Sequence, residues 1–500
     1  MNQKPHEIFK NLEHHEIDRY SAIDSLIYII EHSEKPNLRY KSIQILSKIG
    51  VKSEKVFKTL ENILISDSSE KVRLLTIQKI REIFDKKALS PLTWALNYEK
   101  SLDCIIKILW TLGENDYPEA RSLLLKKLQE VNEKRYKYNL KEIMKEKDVQ
   151  SFSNAEIAEL LTNYFILSSL KLKFGYLKFE PNKNGAVIEL NLSGVDCQGL
   201  RFNKLKDSIA QILSLSFLKT LNLSNNNILE LPFKFPQNTS LETLNLSYNR
   251  IMVLPESISN LKNLRKLDLK SNRLRYLPKS LSSLKNLTHL ILRDNNLSEI
   301  PEKFSEFNQL KHLDLNHNKL TSLPIGVSEL TTLEQFELSW NNIKSFPSQI
   351  QDLVNLKVLN LGKNCIKRIP HWISKLVSLE SLILYDNNIK NISEEISNLT
   401  SLKGLNLRNN NFTYIPDSFK KLNSLKELNF SYNQIEKLPT WIDSLTSLEE
   451  LNLWGNKVVD LPDEILNLNR LKTLYLNFNE ISKEDKILNL LIKSGVSVKL

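Results

Sequence analysis

The sequence predicts two consecutive open solenoids, an N-terminal α-solenoid followed by a solenoid with a curved parallel β-sheet, a fold class of α plus α/β. Two observations predict it. A 23-residue pattern of leucines and one asparagine recurs without insertion from residue 218 onwards, and an apolar helical pattern near the N-terminus recurs after 34 residues. A single repeat cannot bury its own apolar face, so both patterns indicate arrays in which neighbouring units stack.

The composition fits a folded protein that is too long for one compact core. The chain has 500 residues, of which 41% are hydrophobic and 25% charged. It contains no apolar run of membrane-spanning length, and its polar N-terminus lacks the apolar segment of a secretory signal. Cys104, Cys197 and Cys365 lie far apart, which favours a reducing compartment and buried free thiols. We therefore expect a cytoplasmic protein.

The formal net charge of +11 is shared along the chain. Residues 1–184 carry 31 Lys and Arg against 26 Asp and Glu, and the remainder carries 38 against 32. Nucleic-acid-binding proteins usually concentrate their positive charge in a stripe or a tail, so we expect no nucleic-acid partner. The excess indicates a solvated, lysine-rich surface or a weak attraction to acidic partners.

Residues 1–128 carry the helical repeat. The segment RYKSIQILSKIG (39–50) aligns without gaps with RLLTIQKIREIF (73–84), and IIKILWTLG (105–113) is a shorter third copy in which Leu102 replaces the leading arginine. The apolar positions of each copy fall on one face of a helix. Paired helices of this length resemble HEAT-type repeats, and the resemblance implies an α-solenoid that offers a second docking surface.

Two segments separate this region from the main array. Residues 129–170 begin with a highly charged stretch and predict a helical connector. Residues 171–217 predict an N-terminal cap. Within the cap, 171–193 read as two strands around a Pro-Asn-Lys-Asn-Gly turn, and 203–215 read as a helix.

Twelve repeats occupy residues 218–483, each with the form L-x-x-L-x-L-x-x-N-x-L. The repeats begin at Leu218, Leu241, Leu264, Leu287, Leu310, Leu333, Leu356, Leu379, Leu402, Leu425, Leu448 and Leu471. The alternating L-x-L predicts a short strand with one buried face. The asparagine provides donors and an acceptor where the buried backbone turns, so we expect the stacked asparagines to form a hydrogen-bonded ladder.

This pattern resembles the leucine-rich-repeat family, most closely its 23-residue Ras-group intracellular form. The resemblance implies a horseshoe with a parallel sheet on its concave face, short turns or 3₁₀ helices on its convex face, and protein–protein recognition. It suggests, weakly, a small GTPase or a kinase as the partner. The first repeat departs from the form after Pro232, and the eighth has Ser393 in place of proline. Residues 484–500 predict a C-terminal cap with an amphipathic helix over 484–494.

No motif in the sequence indicates catalysis. The chain has no phosphate-binding G-x-x-x-x-G-K-[ST], no C-x-x-C, no H-E-x-x-H and no G-x-S-x-G. We therefore expect no enzymatic activity and no cofactor.

One histidine cluster has two interpretations. His289 and His312 share a repeat position, with Asp314 on the same face and Asp294 and His317 nearby. Imidazole and carboxylate ligands could hold a metal ion, which would allow a metal-assisted hydrolase. A solvated face of mixed charge is the alternative, and it predicts no metal.

The side chains that point away from the core form the candidate protein-binding surface, because core packing does not account for them. The candidates are Tyr248, Lys270, Arg293, His312, Trp340, Tyr385, Arg408, Tyr432, Trp454, Tyr475 and Phe478. They suggest a charged, histidine-bearing zone from Lys270 to Trp340 and an aromatic zone near the C-terminus. The alternative for the second zone is that the C-terminal cap covers Tyr475 and Phe478.

These observations predict a non-enzymatic scaffold or adaptor that holds protein partners on the concave face. The alternative is a regulatory or sensor subunit of a separately encoded enzyme.

Overall fold

A computed structural model describes residues 4–133, 149–175, 177–195, 204–236 and 240–500. The chain forms two compact units. The first comprises Met1–Leu190 with Ser214–Leu218, and the second comprises Asn191–Leu213 with Lys219–Leu500. Residues 134–148 of the predicted connector, which hold most of its charged stretch, and Cys197 lie outside the described residues. No helix in the described ranges combines the length and apolarity needed to cross a membrane.

The first unit is helical, as predicted. Its helices are α1 (Pro5–Glu13), α2 (Arg19–His32), α3 (Pro36–Ile49), α4 (Glu54–Ser66), α5 (Glu70–Phe84), α6 (Leu89–Tyr98), α7 (Leu102–Gly113), α8 (Pro118–Glu133) and α9 (Asn154–Phe174). The side chains of Asp18, Ser53 and Ser101 accept hydrogen bonds from the first-turn N–H groups of α2, α4 and α7. Ile43 and Ile77, which share a repeat position, are both fully buried.

A repeated ion pair supports the 34-residue alignment. Arg39 at the start of α3 makes a two-pronged contact with Asp67, at 2.7 and 2.8 Å. Its counterpart Arg73 in α5 contacts Glu99 in the same way, at 2.8 and 3.0 Å. Each arginine also donates to a backbone carbonyl six residues upstream. The third copy has Leu102 in place of the arginine, so the series of ion pairs stops there.

The end of the first unit corrects one boundary. Helix α9 continues through Phe174, so residues 171–174, expected in a strand, are helical. The two expected strands follow as β1 (Lys178–Pro181) and β2 (Val187–Asn191). The turn between them is closed by the side chain of Asn182, whose Oδ1 accepts from the backbone N–H groups of Asn184 and Ala186.

The second unit is an open parallel sheet. Its elements are α10 (Lys204–Ile212), β3 (Thr220–Asn222), β4 (Thr243–Asn245), β5 (Lys266–Asp268), β6 (His289–Ile291), β7 (His312–Asp314), β8 (Gln335–Glu337), β9 (Val358–Asn360), β10 (Arg368–Ile369), β11 (Ser381–Ile383), β12 (Asn391–Ile392), β13 (Gly404–Asn406), β14 (Glu427–Asn429), β15 (Glu450–Asn452), β16 (Thr473–Tyr475), α11 (Lys486–Lys493) and β17 (Ser497–Lys499). The strands of the main sheet follow chain order. From β3 to β16 each strand residue pairs with the one 23 positions later, as Leu290 does with Leu313, and β16 pairs with β17 at an offset of 24.

Short 3₁₀ helices return the chain on the opposite side. They span Glu256–Asn260, Lys279–Ser283, Glu302–Glu306, Ile325–Glu329, Ser348–Ile350, His371–Lys375, Glu394–Asn398, Asp417–Lys421, Thr440–Ser444 and Asp463–Asn467. Ser393 begins its 3₁₀ helix in the extended conformation that proline adopts in the other repeats. The eighth repeat therefore keeps its turn without the proline.

The asparagine ladder is present. The amides share carbonyls of the buried core residues with their neighbours. Asn318 Nδ2, for example, donates to Leu292 O at 3.0 Å and to Leu315 O at 3.1 Å. Its Oδ1 accepts from the backbone N–H of Leu297 at 3.0 Å. Asn341 repeats the pattern one step on and donates to the same Leu315 carbonyl at 3.0 Å. The ladder thus satisfies buried backbone groups with one residue per repeat.

The C-terminal cap continues the array. Helix α11 begins after Asp485, whose side chain accepts from Leu488 N, and it ends before Gly495, which has a left-handed φ of 96°. Strand β17 then pairs in parallel with β16, so the last repeat strand has a hydrogen-bonded neighbour on both sides. An edge strand with unpaired backbone groups is thereby avoided at this position.

The cysteines only partly follow expectation. Cys104 is buried, and burial raises the pKa of its thiol to about 12. Cys365 is exposed, so the prediction of a buried thiol is wrong there. It follows the ladder residue Asn364 and lies at a position that the other repeats fill with polar side chains such as Asn388 and Asn411.

Candidate protein-binding surface

The open sheet face is the side of the second unit's sheet opposite the leucine core. It is lined by the first and third residues of each strand and by the two residues that precede each ladder asparagine. All eleven candidates lie on it. Tyr248, Arg293, Trp340, Arg408, Tyr432 and Phe478 are exposed, whereas Lys270, His312, Tyr385, Trp454 and Tyr475 are half-buried.

The third strand position has a structural role that the sequence analysis missed. In eight repeats an Asn or Asp there accepts a hydrogen bond from the backbone N–H two residues on. These residues are Asn222, Asn245, Asp268, Asp314, Asn360, Asn406, Asn429 and Asn452. Their side chains stabilise the end of each strand. Their recurrence in eight of twelve repeats was a signal that could have revealed this.

The residue before each ladder asparagine adopts left-handed backbone geometry in all twelve repeats. The φ angles of Tyr248, Trp340, Tyr432 and Phe478 are between 55° and 57°. Bulky side chains rarely adopt this conformation, and one residue held there costs about 1–3 kcal/mol. Five of the other repeats place Asn, Asp or Gly at this position, and three place Ser271, His317 or Lys363, so the four aromatic residues are the bulkiest apolar side chains held in this unfavourable conformation.

Three of these four aromatic residues have a cation over the ring face, and the first two are Tyr248 and Trp340. Lys270 Nζ lies 5.1 Å from the Tyr248 ring centroid, and Lys363 Nζ lies 5.1 Å from that of Trp340. The His317 ring stacks on Trp340 with centroids 4.6 Å apart. Trp340 nevertheless remains 45% exposed. The charged zone is therefore a series of stacked side chains held by adjacent repeats.

The C-terminal aromatic zone forms a second stack. The Arg408 guanidinium lies 4.9 Å from the Tyr432 centroid, Tyr432 and Trp454 are 6.3 Å apart, and Trp454 and Phe478 are 5.9 Å apart. Phe478 is 76% exposed, so the cap does not cover it, and Tyr475 is half-buried. Ordered, exposed aromatic faces of this kind are enriched at binding hot spots.

Glycines make room for two of the rings. A Cβ added at Gly362 would lie 2.3 Å from the Tyr385 ring, and one added at Gly455 would lie 3.1 Å from the Tyr432 ring. Gly455 also has a left-handed φ of 67°. These glycines allow the tyrosines of neighbouring repeats to lie flat over the backbone.

The histidine cluster is partly buried. The His289 and His312 rings pair across β6 and β7 with centroids 5.8 Å apart. Burial lowers the pKa of both, and it raises the pKa of Asp314. Within the ranges that the structure describes, no group of three His, Cys, Asp or Glu side chains is placed to hold a metal ion.

The residue before each strand forms a charge ladder that sequence inspection also missed. Its members are Lys219, Glu242, Arg265, Thr288, Lys311, Glu334, Lys357, Glu380, Lys403, Lys426, Glu449 and Lys472. Each cation of this row pairs with a glutamate of a neighbouring repeat, as Lys311 and Lys357 do with Glu334 at 3.1 and 2.7 Å. Much of the positive charge on the sheet is therefore neutralised internally.

Comparison with known proteins agrees with this geometry. The "leucine-rich repeat region" family matches residues 258–361 and 373–495, and the "leucine rich repeat" family matches residues 216–274. A leucine-rich-repeat protein of Leptospira interrogans is 31% identical, with 66% of this chain and 94% of that one covered and a TM-score of 0.53. A TDR receptor is 31% identical over 59% of this chain and 52% of its own, with a TM-score of 0.51. No curated protein sequence matches the chain.

Proposed function

This chain belongs to the leucine-rich-repeat family, and we propose that it is a non-enzymatic cytoplasmic scaffold or adaptor that binds a protein partner on its open sheet face. The family's fold is a common protein–protein interaction module and is typically non-enzymatic. The proposal includes a small GTPase or a kinase as the protein partner, as the family resemblance suggests. The sparse, unpaired cysteines Cys104 and Cys365 support the cytoplasmic location.

The observation that carries the proposal is the set of exposed aromatic residues in left-handed conformation. Tyr248, Trp340, Tyr432 and Phe478 are 44–76% exposed and contribute little to the core. Strained residues that the surrounding structure holds in place cluster at functional sites. Their neighbours fix them, so they lose little conformational entropy when a partner binds.

The test is comparative capture from the native cell, followed by mass spectrometry. The wild-type chain is compared with Trp340→Ala and Tyr432→Ala and with a control pair in the first unit, Trp94→Ala and Tyr98→Ala. The control rings are also exposed and lie against each other, with centroids 4.6 Å apart and planes tilted by 31°. We expect the sheet-face variants to lose a protein that the control variants retain. Loss only in the control variants would place recognition on the helical unit and contradict the proposal.

A further inference from the structure

Four unpaired arginines lie together in repeats two to four. This arginine patch consists of Arg250, Arg273, Arg275 and Arg293, all of them exposed. Five of the eight arginines between residues 218 and 500 fall within residues 250–293. Only the fifth, Arg265, joins the charge ladder, where it contacts Glu242 at 3.8 Å. The four patch arginines make no side-chain hydrogen bond or ion pair with any residue that the structure describes.

Stacking places like charges side by side in this patch. Arg250 N donates to Ile228 O and Arg273 N donates to Ile251 O, both at 2.9 Å, so the two arginines occupy the same position in adjacent turns. On the sheet face, Lys270 and Arg293 also occupy the same position in adjacent repeats. Like charges directly opposite each other in neighbouring strands are destabilising.

The charge ladder of the same sheet can be compared with the arginine patch, because both contain charges stacked in adjacent repeats. There the same 23-residue stacking mixes cations with glutamates, and every cation has a glutamate partner in an adjacent repeat, including the consecutive Lys403 and Lys426. The four patch arginines form no such ion pair with the described residues, although the ladder shows that this array can pair stacked charges. The unpaired cations are therefore available to an external anion.

The guanidinium groups of the patch favour particular anions as ligands. A guanidinium presents a planar fork that matches a carboxylate or a phosphate with two parallel hydrogen bonds. The patch spreads its charges in rows over three repeats, a distance on the order of 10 Å at the usual strand spacing. This distribution suits several single charges along an extended chain better than one doubly charged phosphate. Asp294 lies beside Arg293, and a uniformly charged nucleic-acid backbone would be repelled there.

We propose that the arginine patch binds an acidic segment of a protein partner, a run of aspartate and glutamate side chains in extended conformation. The inference rests on the proposed function, since it concerns the same repeat array. Exposed Tyr248 and Tyr276 flank the patch and offer apolar contact to residues between the acidic ones.

The test uses a fluorescent peptide that carries a run of glutamates, titrated by anisotropy into the full chain. The same peptide with glutamines is the ligand control. The Arg250→Gln/Arg273→Gln/Arg293→Gln variant is compared with Arg470→Gln, an exposed arginine at the end of the eleventh repeat. We expect the glutamate peptide to bind with an affinity that falls as salt rises, and the triple variant to bind at least about tenfold more weakly. Arg470→Gln should bind as the wild type does.

Several outcomes would overturn the inference. These are equal binding of the glutamine peptide, unchanged binding by the triple variant, or tighter binding of a phosphoserine peptide or a single-stranded oligonucleotide of equal length. Equal unfolding midpoints for the wild type and the triple variant show that the fold is intact. If the native partner is captured normally by the triple variant but lost in Trp340→Ala, the proposed function stands and this inference fails.

Discussion

Replacing Asn318 with alanine tests how the ladder stabilises the repeat array. The wild-type side chain accepts from Leu297 N and donates to the carbonyls of Leu292 and Leu315. Both carbonyls keep a second asparagine donor in the variant, Asn295 for Leu292 and Asn341 for Leu315. The Leu297 N–H alone is left without a partner.

The magnitude follows from that single unpaired group. A buried donor without an acceptor costs about 1–3 kcal/mol, and carbonyls that keep one of two donors add little. We therefore expect Asn318→Ala to lower the free energy of unfolding by about 1–3 kcal/mol. Guanidinium denaturation measures the change, and hydrogen exchange should show faster exchange at the Leu297 amide.

The control for this experiment is Asn342→Ala. Asn342 follows a ladder residue, is exposed, and makes no side-chain hydrogen bond with the described residues. Strict alternation beyond strand β7 would place Asn316 on the solvent side, but Asn316 is not a neutral control. It is only 5% exposed, and its Oδ1 accepts from Ser339 N at 2.6 Å. Equal denaturation midpoints and equal Leu297 exchange in Asn318→Ala and Asn342→Ala would refute the ladder argument.

Three further predictions follow from single sites. Burial raises the pKa of Glu159, so the folded state holds the carboxyl proton more tightly than the unfolded state and stability declines as pH rises above the ordinary glutamate range. Glu159→Gln should therefore raise the melting temperature at neutral pH but not at acid pH. An equal gain at both pH values would contradict this. Gly455→Ala should lower the free energy of unfolding by about 1–2 kcal/mol because Gly455 has a left-handed φ. Gly404→Ala should be neutral, because an added Cβ there meets nothing nearer than 3.8 Å. Equal denaturation midpoints for the two variants would count against backbone strain. Untagged protein should contain no stoichiometric metal at His289 and His312, and zinc lost in His312→Ala would show otherwise.

The leucine core and the asparagine ladder could be predicted because they depend only on the repeat period. Leu290 and Leu313 are both fully buried, as alternation along a strand requires. The same alternation failed at Asn316. Each main-sheet strand of the repeats lasts only three residues, and the chain has already turned at position 316, which is buried rather than solvent-facing.

Some features of the candidate surface could not be predicted from the sequence, because they arise only when neighbouring repeats stack. The charge ladder appears only when residues 23 positions apart are placed side by side, as Lys311 and Glu334 are. The left-handed position could have been inferred from Asn225, Asp294 and Gly455, residue types that favour it, but the aromatic residues at the same position obscure the pattern. Whether the cap covers Phe478 depends on the packing of α11 and β17, which the sequence does not specify.

The affinity of the captured partner for single sheet-face variants tests the central claim most directly. Trp340→Ala, Tyr432→Ala and Trp454→Ala are each compared with Glu256→Ala, on a 3₁₀ turn of the opposite side. We expect preserved melting temperatures in the sheet-face variants and a loss of more than about 1 kcal/mol of binding free energy in at least one of them, with no change of affinity in Glu256→Ala. Wild-type affinity in all three sheet-face variants, or a loss in Glu256→Ala alone, would contradict the central claim.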